Sequence, residues 1–479
     1  MVPPCLQYAA AMKGEFELVH GTSLDFIQPH EQWEYCTAAA PPVIGNDNYD
    51  HLVSSTQEYW MDNVGEEEDS QDAAQTNALS LDENNTPPIV VATMIGHGKQ
   101  LLPSMSCNYE LSLITHLLEC AVAISVDNLG EARRMLLQLS QMASPYGASC
   151  AERVVAYFAM AMSSRVMNSW LGICSPLINY KSIPYAFHIF NNVSPFVKFA
   201  HFTSNQAILE SIHQTDKVLH IVDLDIMQGL QWPALFHILA TRLEGTPRVR
   251  MTGVGTCMDL LLETGRQLSN FAKRLGMSFE FHPIAKKFGD LNMDQYSTIQ
   301  VRRGEAVAVH WLRHSLYDAT GPDWKTLRLI QQLSPRLITL VEQDIVHQGT
   351  FLDRFVGSLH YYSTMFDSLG ASLSFDDPCR HRVEHGLFYR EINNILAIGG
   401  PVRSGEEKLV SNWRSELGRS HEFVQVPMSR NCMAQAQLIL NMFPPMHGYS
   451  LVQEGGTLRL GWKHTSLYTA SAWTCHSFS

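Results

Sequence analysis

KVLHIVDLDIMQGLQW, residues Lys217–Trp232, opens on a short, almost unbroken apolar run, Val218–Val222, and ends on a new pattern. Such a run without alternation suits a strand buried on both faces of a parallel sheet. Asp223 and Asp225 close the run and Gly229 follows. Pro233 then stands at the first position of a predicted helix, ALFHILATRL, where its fixed φ and missing N–H are no handicap. Strand, carboxylate-bearing turn and helix in succession make a crevice at the carboxyl end of the first strand, where ligands bind in open α/β sheets.

Working downstream, the alternation continues. RVRMTGVG (Arg248–Gly255) predicts a second strand and Met258–Leu275 a helix. MSFEFHPI (Met277–Ile284) predicts a third strand, Ala306–Trp311 a fourth, and a helix follows around Leu327 and Ile330. RLITLVEQD (Arg336–Asp344) predicts a fifth, followed by a long helix over Phe351–Leu369. Strands alternating with helices imply a parallel sheet covered on both faces. A helix through Ile392 and Leu396 is expected to end at Gly399-Gly400. YSLVQEGGTLRLGWK then reads as two strands joined at a Gly-Gly turn, and LYTASAW has strand character. A parallel α/β sheet finished by an antiparallel hairpin has the layout of a class I methyltransferase.

Working upstream, residues 106–213 read as a helical cap. Leu113, Leu117, Ala121 and Ile124 recur at helical spacing, widened by Ile114 and Leu118. Asn128-x-x-Glu131 and Ser149-x-x-Glu152 look like capping boxes opening two further helices, and helical pieces continue to about His213 with breaks at Pro184 and Pro195. ITHLL (Ile114–Leu118) has the shape of a helix-in-groove docking motif; a leucine-rich helix is also what a core requires. The predicted fold class is therefore α/β, a methyltransferase-like (Rossmann-type) sheet with a C-terminal antiparallel hairpin, preceded by an α-helical cap. The expected division is 1–105, 106–213 and 214–479.

The 479 residues are 45% hydrophobic and 17% charged, enough to bury a large core. Ten cysteines without a CxxC pair or regular spacing read as free thiols in a reducing compartment. There is no apolar run of membrane-spanning length. MVPPCLQYAAAMKGE lacks the basic n-region of a secretory signal. A soluble intracellular protein is expected. The net charge of −13 is unevenly placed: residues 1–105 hold sixteen Asp and Glu against Lys13 and Lys99, a balance of −14, which leaves +1 for the rest. A nearly neutral body argues against gripping a nucleic-acid backbone directly, since that affinity rests on clustered Lys and Arg.

Residues 1–105 show no sustained period, carry Pro pairs at Pro3-Pro4, Pro41-Pro42 and Pro87-Pro88, and contain the run Glu66–Asp69. This composition predicts a disordered acidic segment. Aromatics set among the acids, in EQWEY (Glu31–Tyr35) and EYWMD (Glu58–Asp62), fit an acidic-hydrophobic activation segment as well as a solvated tail.

A methyltransferase of this layout needs a glycine-rich turn after strand one and a carboxylate ending strand two, by the logic of dinucleotide sites. The first turn has Gly229 alone, with Met227 and Gln228 where glycines are wanted; strand two runs into Gly253 and Gly255 with no acid before Asp259. S-adenosylmethionine binding is therefore not expected, and no cofactor is assigned. His310 with His314, and His381 with His385, have i,i+4 metal-ligand spacing, but no HExxH or CxxC pattern supports either pair. No GxSxG elbow is present. No residue is assigned as catalytic or as a metal ligand.

At this point the residues resemble a known family. LHIVDLDIMQGLQWPAL is similar to the VHIID signature of plant GRAS transcriptional regulators, with Leu219, His220, Ile221, Val222 and Asp223 as its core. THLLECAVAISVDNLGEARRMLLQLSQMASPYG resembles their first leucine-rich region. RRGEAVAVHWLRHSLYDATG and FVGSLHYYSTMFDSLGAS resemble the PFYRE region, whose residues fall on Pro322, Phe355, Tyr361, Arg382 and Glu384. LRLGWKHTSLYTASAW resembles the closing SAW motif, with its tryptophan pair on Trp462 and Trp473. The Trp-x7-Gly spacing of that region would place a glycine where His421 stands. The resemblance covers about residues 106–475, taken together as one GRAS domain, and is nearest to the SCARECROW-like subgroup. It implies a nuclear, non-enzymatic regulator that forms GRAS–GRAS dimers, with SHORT-ROOT-type partners or itself. It also implies recruitment to promoters by C2H2 zinc-finger proteins of the INDETERMINATE-DOMAIN class, with DNA contact indirect and no membrane partner. The alternative from the residues alone is an α/β enzyme or binding protein holding S-adenosylmethionine or another small molecule in the crevice.

Overall fold

The computed structural model describes residues 103–171, 183–242, 245–291, 299, 301–316, 324–345, 349–397, 412–443 and 448–475. The expectations for residues 1–102, for Pro322 and for Gly399-Gly400 lie outside the described residues. The first helices are α1 (Pro103–Ser125), α2 (Leu129–Met142), α3 (Cys150–Leu171), α4 (Ile183–Val193) and α5 (Pro195–Ser211). Their starts are local. Asn128 accepts from the Glu131 amide at 3.4 Å, but the Glu131 carboxylate turns to Arg134, so that box is half made. At Ser149 both halves form: the Glu152 amide donates to Ser149 Oγ at 3.1 Å and the Ser149 amide to Glu152 Oε2 at 3.4 Å. These bonds satisfy amides that a helix start leaves unpaired.

Strand β1 (Val218–Asp223) lies between β2 (Arg248–Gly255) and β4 (Glu305–Arg313), parallel to both, with Val218 opposite Arg248 and Glu305. Outside them lie β3 (Phe279–Ala285) and β5 (Leu337–Gln343), also parallel to their neighbours. The connecting helices are α6 (Trp232–Ala240), α7 (Met258–Arg274) and α8 (Trp324–Leu333); α9 (Phe351–Gly370) follows β5. The order β3-β2-β1-β4-β5 turns back at β1, so the switch point falls beside Asp223. The strands bury both faces: Leu219, Ile221, Ala306 and Ala308 join one cluster with the first helices, while Val222, Val307 and Val309 join a second on the other side.

The expected C-terminal antiparallel hairpin is present within a larger set of strands. β7 (Tyr449–Glu454) and β8 (Thr457–Trp462) do form it, around Gly455 and Gly456 at φ 56° and 77°, the left-handed pair that a two-residue hairpin turn requires. But β9 (Thr465–Cys475) inserts antiparallel between β8 and β5, with Ile338 opposite Trp473. A short unexpected strand, β6 (Phe423–Val426), also pairs with β9. The remaining helices are α10 (Pro378–Val383), a π-helical turn at Glu384–Phe388, α11 (Tyr389–Leu396), α12 (Trp413–Arg419) and α13 (Arg430–Asn441). Among the described residues no helix is long and apolar enough to cross a membrane.

Candidate functional site

The turn after β1 leaves the strand and spans its two neighbours. The Leu224 amide donates to the His310 carbonyl on β4 at 3.0 Å and the Ile226 amide to the Val254 carbonyl on β2 at 2.9 Å. Gly229 then bends the chain at φ 64°, and Met227 adopts φ 45° beside it, a left-handed conformation that a bulky residue holds only when its surroundings force it. One such tie is visible: Thr264 Oγ1 on α7 donates to the Met227 carbonyl at 2.9 Å.

This turn fills the crevice. Met227 and Ile226 are buried, and the Cβ that Gly253 lacks would lie 2.8 Å from Phe281 and 3.1 Å from Ile226. At Gly255, where strand two ends and a ribose-binding acid would stand, a Cβ would lie 3.1 Å from the Leu261 side chain. The cavity that remains is about 20 Å³, lined by Asp223, Asp225, Gln228, His310 and His314 among others. That holds about one water, against the roughly 300 Å³ or more of a typical cofactor pocket.

The carboxylate at the strand end is engaged within the protein. Trp232 Nε1 donates to Asp223 Oδ2 at 2.9 Å and the Asp225 amide to Oδ1 at 3.2 Å. Burial pushes the Asp223 carboxyl up to about 7, with the indole and amide donors pulling the other way. His310 stands edge-on to Trp232 at 5.6 Å and shares a 3.0 Å hydrogen bond with Thr339; burial depresses it to about 3. His314 Nε2 meets Asp225 Oδ2 at 3.0 Å. The His310/His314 pair therefore diverges onto separate protein partners. Likewise His381 faces Tyr146, whereas His385 stacks on Tyr389. Among the described residues no group of three or more His, Cys, Asp or Glu is placed to hold a metal.

Helix α5 closes the crevice from above through Asn205 and Gln231. Asn205 Nδ2 donates to the Gln231 carbonyl at 3.1 Å and Gln231 Nε2 to Asn205 Oδ1 at 2.9 Å. Neither residue carried a signal in the sequence, because the pair forms across 26 positions between a helix and a turn. Two further buried carboxylates were equally silent. Glu391 accepts from the Ser315 amide, from Gln343 Nε2 at 2.9 Å and from Tyr362 Oη at 3.0 Å, and burial raises its pKa. Glu342 accepts from the Trp413 and Arg414 amides at the start of α12.

The motif residues are mostly framework. Leu219, His220, Ile221, Val222 and Asp223 are all buried in β1. His220 is held by Thr252 at 3.0 Å and lies 3.4 Å from Glu305, with burial depressing it to about 3. Phe355 and Tyr361 are buried on α9. Glu384 is buried against Arg153 at 3.1 Å and Arg380 at 3.5 Å, and burial pushes it up to about 7 despite both. Arg382 is exposed and lies 5.0 Å over the Tyr185 ring. Trp462 Nε1 donates to Asp367 on α9 at 2.6 Å and Trp473 Nε1 to Ser471 at 3.0 Å, both tryptophans buried. On α1 the leucine pair splits: Leu117 is fully buried, Leu118 is 40% exposed, and Ile114 is half-buried between them. Leu117 is therefore corrected from a candidate contact to a core residue; its neighbour presents the outer face.

The profile of the GRAS domain family matches residues 113–474. Protein SCARECROW of Arabidopsis thaliana is 54% identical over 374 residues, covering 77% of this chain and 56% of that protein. Protein SCARECROW of Ipomoea nil is 48% identical over 442 residues, 90% of this chain and 55% of that protein. The chain thus spans about half the length of these relatives. Scarecrow-like protein 23 of Arabidopsis thaliana is 47% identical over 378 residues, which is 91% of its length. Among solved structures, SCL7 of Oryza sativa superposes with a TM-score of 0.64 at 34% identity, covering 75% of this chain and 99% of that one. Motifs, sheet order and these likenesses agree: the chain belongs to the GRAS domain family, alongside its SCARECROW-like members.

Proposed function

We propose that this chain is a nuclear, non-enzymatic transcriptional regulator that acts by holding other proteins together. In this reading it pairs with another GRAS protein, of SHORT-ROOT type or a second copy, and reaches promoters through C2H2 zinc-finger proteins of the INDETERMINATE-DOMAIN class. The observation that carries it is the filled crevice: about 20 Å³ remains where a cofactor would sit, and the Asp223 carboxylate is spent on Trp232 and the Asp225 amide. A methyltransferase-like sheet that has lost its pocket keeps its value as a rigid scaffold. Support for pairing comes from α1, whose outer face exposes Leu111, Leu118 and Val122 at 63%, 40% and 51%, an apolar stripe at i, i+7 and i+11.

Titration calorimetry of the full chain with S-adenosylmethionine is expected to show no heat at high micromolar cofactor. A saturable micromolar isotherm, about −8 kcal/mol, would overturn the reading and restore the enzyme alternative. Co-purification from nuclei then tests the partners: recovery of GRAS and zinc-finger proteins is expected, and their absence removes that part of the proposal.

A further inference from the structure

The chain enters every parallel strand at the same edge of the sheet, and that edge is rich in cations. Residues 210–218, 239–250, 273–280, 301–305 and 332–336 lead into β1 to β5 and carry nine Lys and Arg against five Asp and Glu, a balance of +4. All of residues 106–479 sum to only +1, so the excess is local. Every acid of these stretches is in that count, partnered or not, Glu244 by its place in the sequence. Asp216 takes Arg336, Glu280 takes Arg248 at 3.1 Å and Arg302 at 2.8 Å, and Glu305 takes Arg250 at 2.9 Å. Glu210 accepts from Ser429 and Asn431, each at 2.9 Å. The hydrogen bond from Arg302 holds Glu280 down to about 2, so it counts as a full charge at neutral pH.

Cations are left over once those pairs are made. Lys217, Lys273, Arg274 and Arg303 are exposed and meet no carboxylate among the described residues. Lys217 precedes β1, whose neighbours begin at Arg248 and Glu305. Lys273 and Arg274 end α7, and the Val249 amide of β2 donates to the Ser278 carbonyl just before β3. Neighbouring strands lie about 4.8 Å apart, so β3, β2, β1 and β4 set this row along roughly 15 Å. Apolar surface is set into it: Val301 is 43% exposed beside Arg302, and Phe271, Leu275 and Phe279 are half-buried.

We propose that this basic edge is a docking site for the chain's own segment Glu15–Glu34. That stretch carries Glu15, Glu17, Asp25, Glu31 and Glu34 and no Lys or Arg, a charge of −5 to set against the +4 of the edge. Its acids are interleaved with Phe16, Leu18, Phe26 and Trp33, which suits an edge where Val301 and half-buried rings lie among the cations. The acidic run Glu66–Asp69 sits instead among Gly65, Ser70 and Gln71. Chain length permits the contact: residues 35–102, at up to about 3.5 Å each, span far more than the diameter of the domain. A tethered ligand also docks at high effective concentration, so modest contacts suffice. Docked, the acids and rings are withheld from other molecules until a competing polyanion displaces them. The inference does not depend on which partners the chain pairs with.

The test is zero-length carbodiimide cross-linking of the full chain, which joins a carboxylate to a lysine amine only where the two touch. Links from the acids of Glu15–Glu34 to Lys217 or Lys273 are expected within one chain, as mass spectrometry of mixed isotope-labelled and unlabelled protein shows. Their yield should fall several-fold at high salt, in Arg274→Glu combined with Arg303→Glu, and in Phe16→Ala combined with Leu18→Ala. Arg274 and Arg303 are exposed, so an unchanged melting curve shows that their double variant is folded; the Phe16 and Leu18 variant gives the same information without touching the domain. Links made chiefly by Glu66–Asp69, links between two chains, or a yield indifferent to both pairs of substitutions would each overturn the proposal. So would an absence of links together with duplex DNA binding that the Arg274 and Arg303 variant loses, which would assign the edge to nucleic acid.

Discussion

Asp223 shows how a single side chain records the closure of a crevice. A carboxylate at the end of the first strand of an α/β sheet ordinarily faces solvent or ligand; here it faces an indole N–H and a backbone amide. Burial raises it to about 7, so between the ordinary carboxylate range and about pH 7 the folded protein binds a proton that the unfolded chain has released. Stability from this group is therefore greatest at low pH and is lost as pH rises. Buried His220 and His310, held down to about 3, act in the opposite sense over much of that window. The measurement must thus be a difference: the stability of the wild type minus that of Asp223→Asn should fall as pH rises from about 4 to 7, by no more than about 1.4 kcal/mol per pH unit. A flat difference in denaturant melts would mean that Asp223 is ionised throughout. Trp232→Phe removes the donor and leaves a buried acceptor short of a partner, which should cost about 1–3 kcal/mol at neutral pH. That Asp223 ends a strand was legible in KVLHIVD. Its indole partner nine residues on was not, because nothing in the spacing tells a packed turn from an open one.

At the scale of the element, α1 offers a controlled comparison, since Leu117 and Leu118 are neighbours about 100° apart around one helix. Leu117 is fully buried and Leu118 is 40% exposed. Leu117→Glu buries an unpaired charge, costing several kcal/mol, and circular dichroism should show loss of the cooperative fold. Leu118→Glu should leave the melting curve nearly unchanged and, if α1 pairs with a partner, weaken association in sedimentation. A folded and still associated Leu118 variant would remove this face from the pairing proposal. The helical period made the inner stripe readable, and Ser149-x-x-Glu152 marked its helix start as expected. The π-turn at Glu384–Phe388 carried no comparable signal: HRVEHGLFYR has an ordinary helical composition, and the partner of its first residue, Arg153, lies 231 positions away.

For the whole molecule, the parallel half of the sheet was legible strand by strand, while the place of the last strand was not. Hydrophobic pattern identifies strands but does not order them, and LYTASAW reads only as a strand with no assigned neighbour. β9 lies inside the sheet, hydrogen-bonded to β5 on one side and to β8 and β6 on the other. It carries Tyr468, Ala470 and Ala472 into the core shared with the first helices and Trp473 into the opposite core. Truncation after Gly456 therefore removes an interior strand, leaves β5 paired on its β4 side alone, and takes β9 from β6 and β8 from β7. It also deletes buried Trp462 and Trp473, and losing a buried Trp side chain typically costs about 3–5 kcal/mol. Two such losses, set against a net stability of about 5–15 kcal/mol, leave little margin before the newly opened strand edge invites aggregation. The truncated chain is expected to be insoluble or to melt without cooperativity, losing fold and partner binding together. A soluble product with an unchanged melting curve but no partner binding would show that Trp462 and Trp473 act at an interface, and that the closing motif is a contact surface rather than part of the sheet's interior.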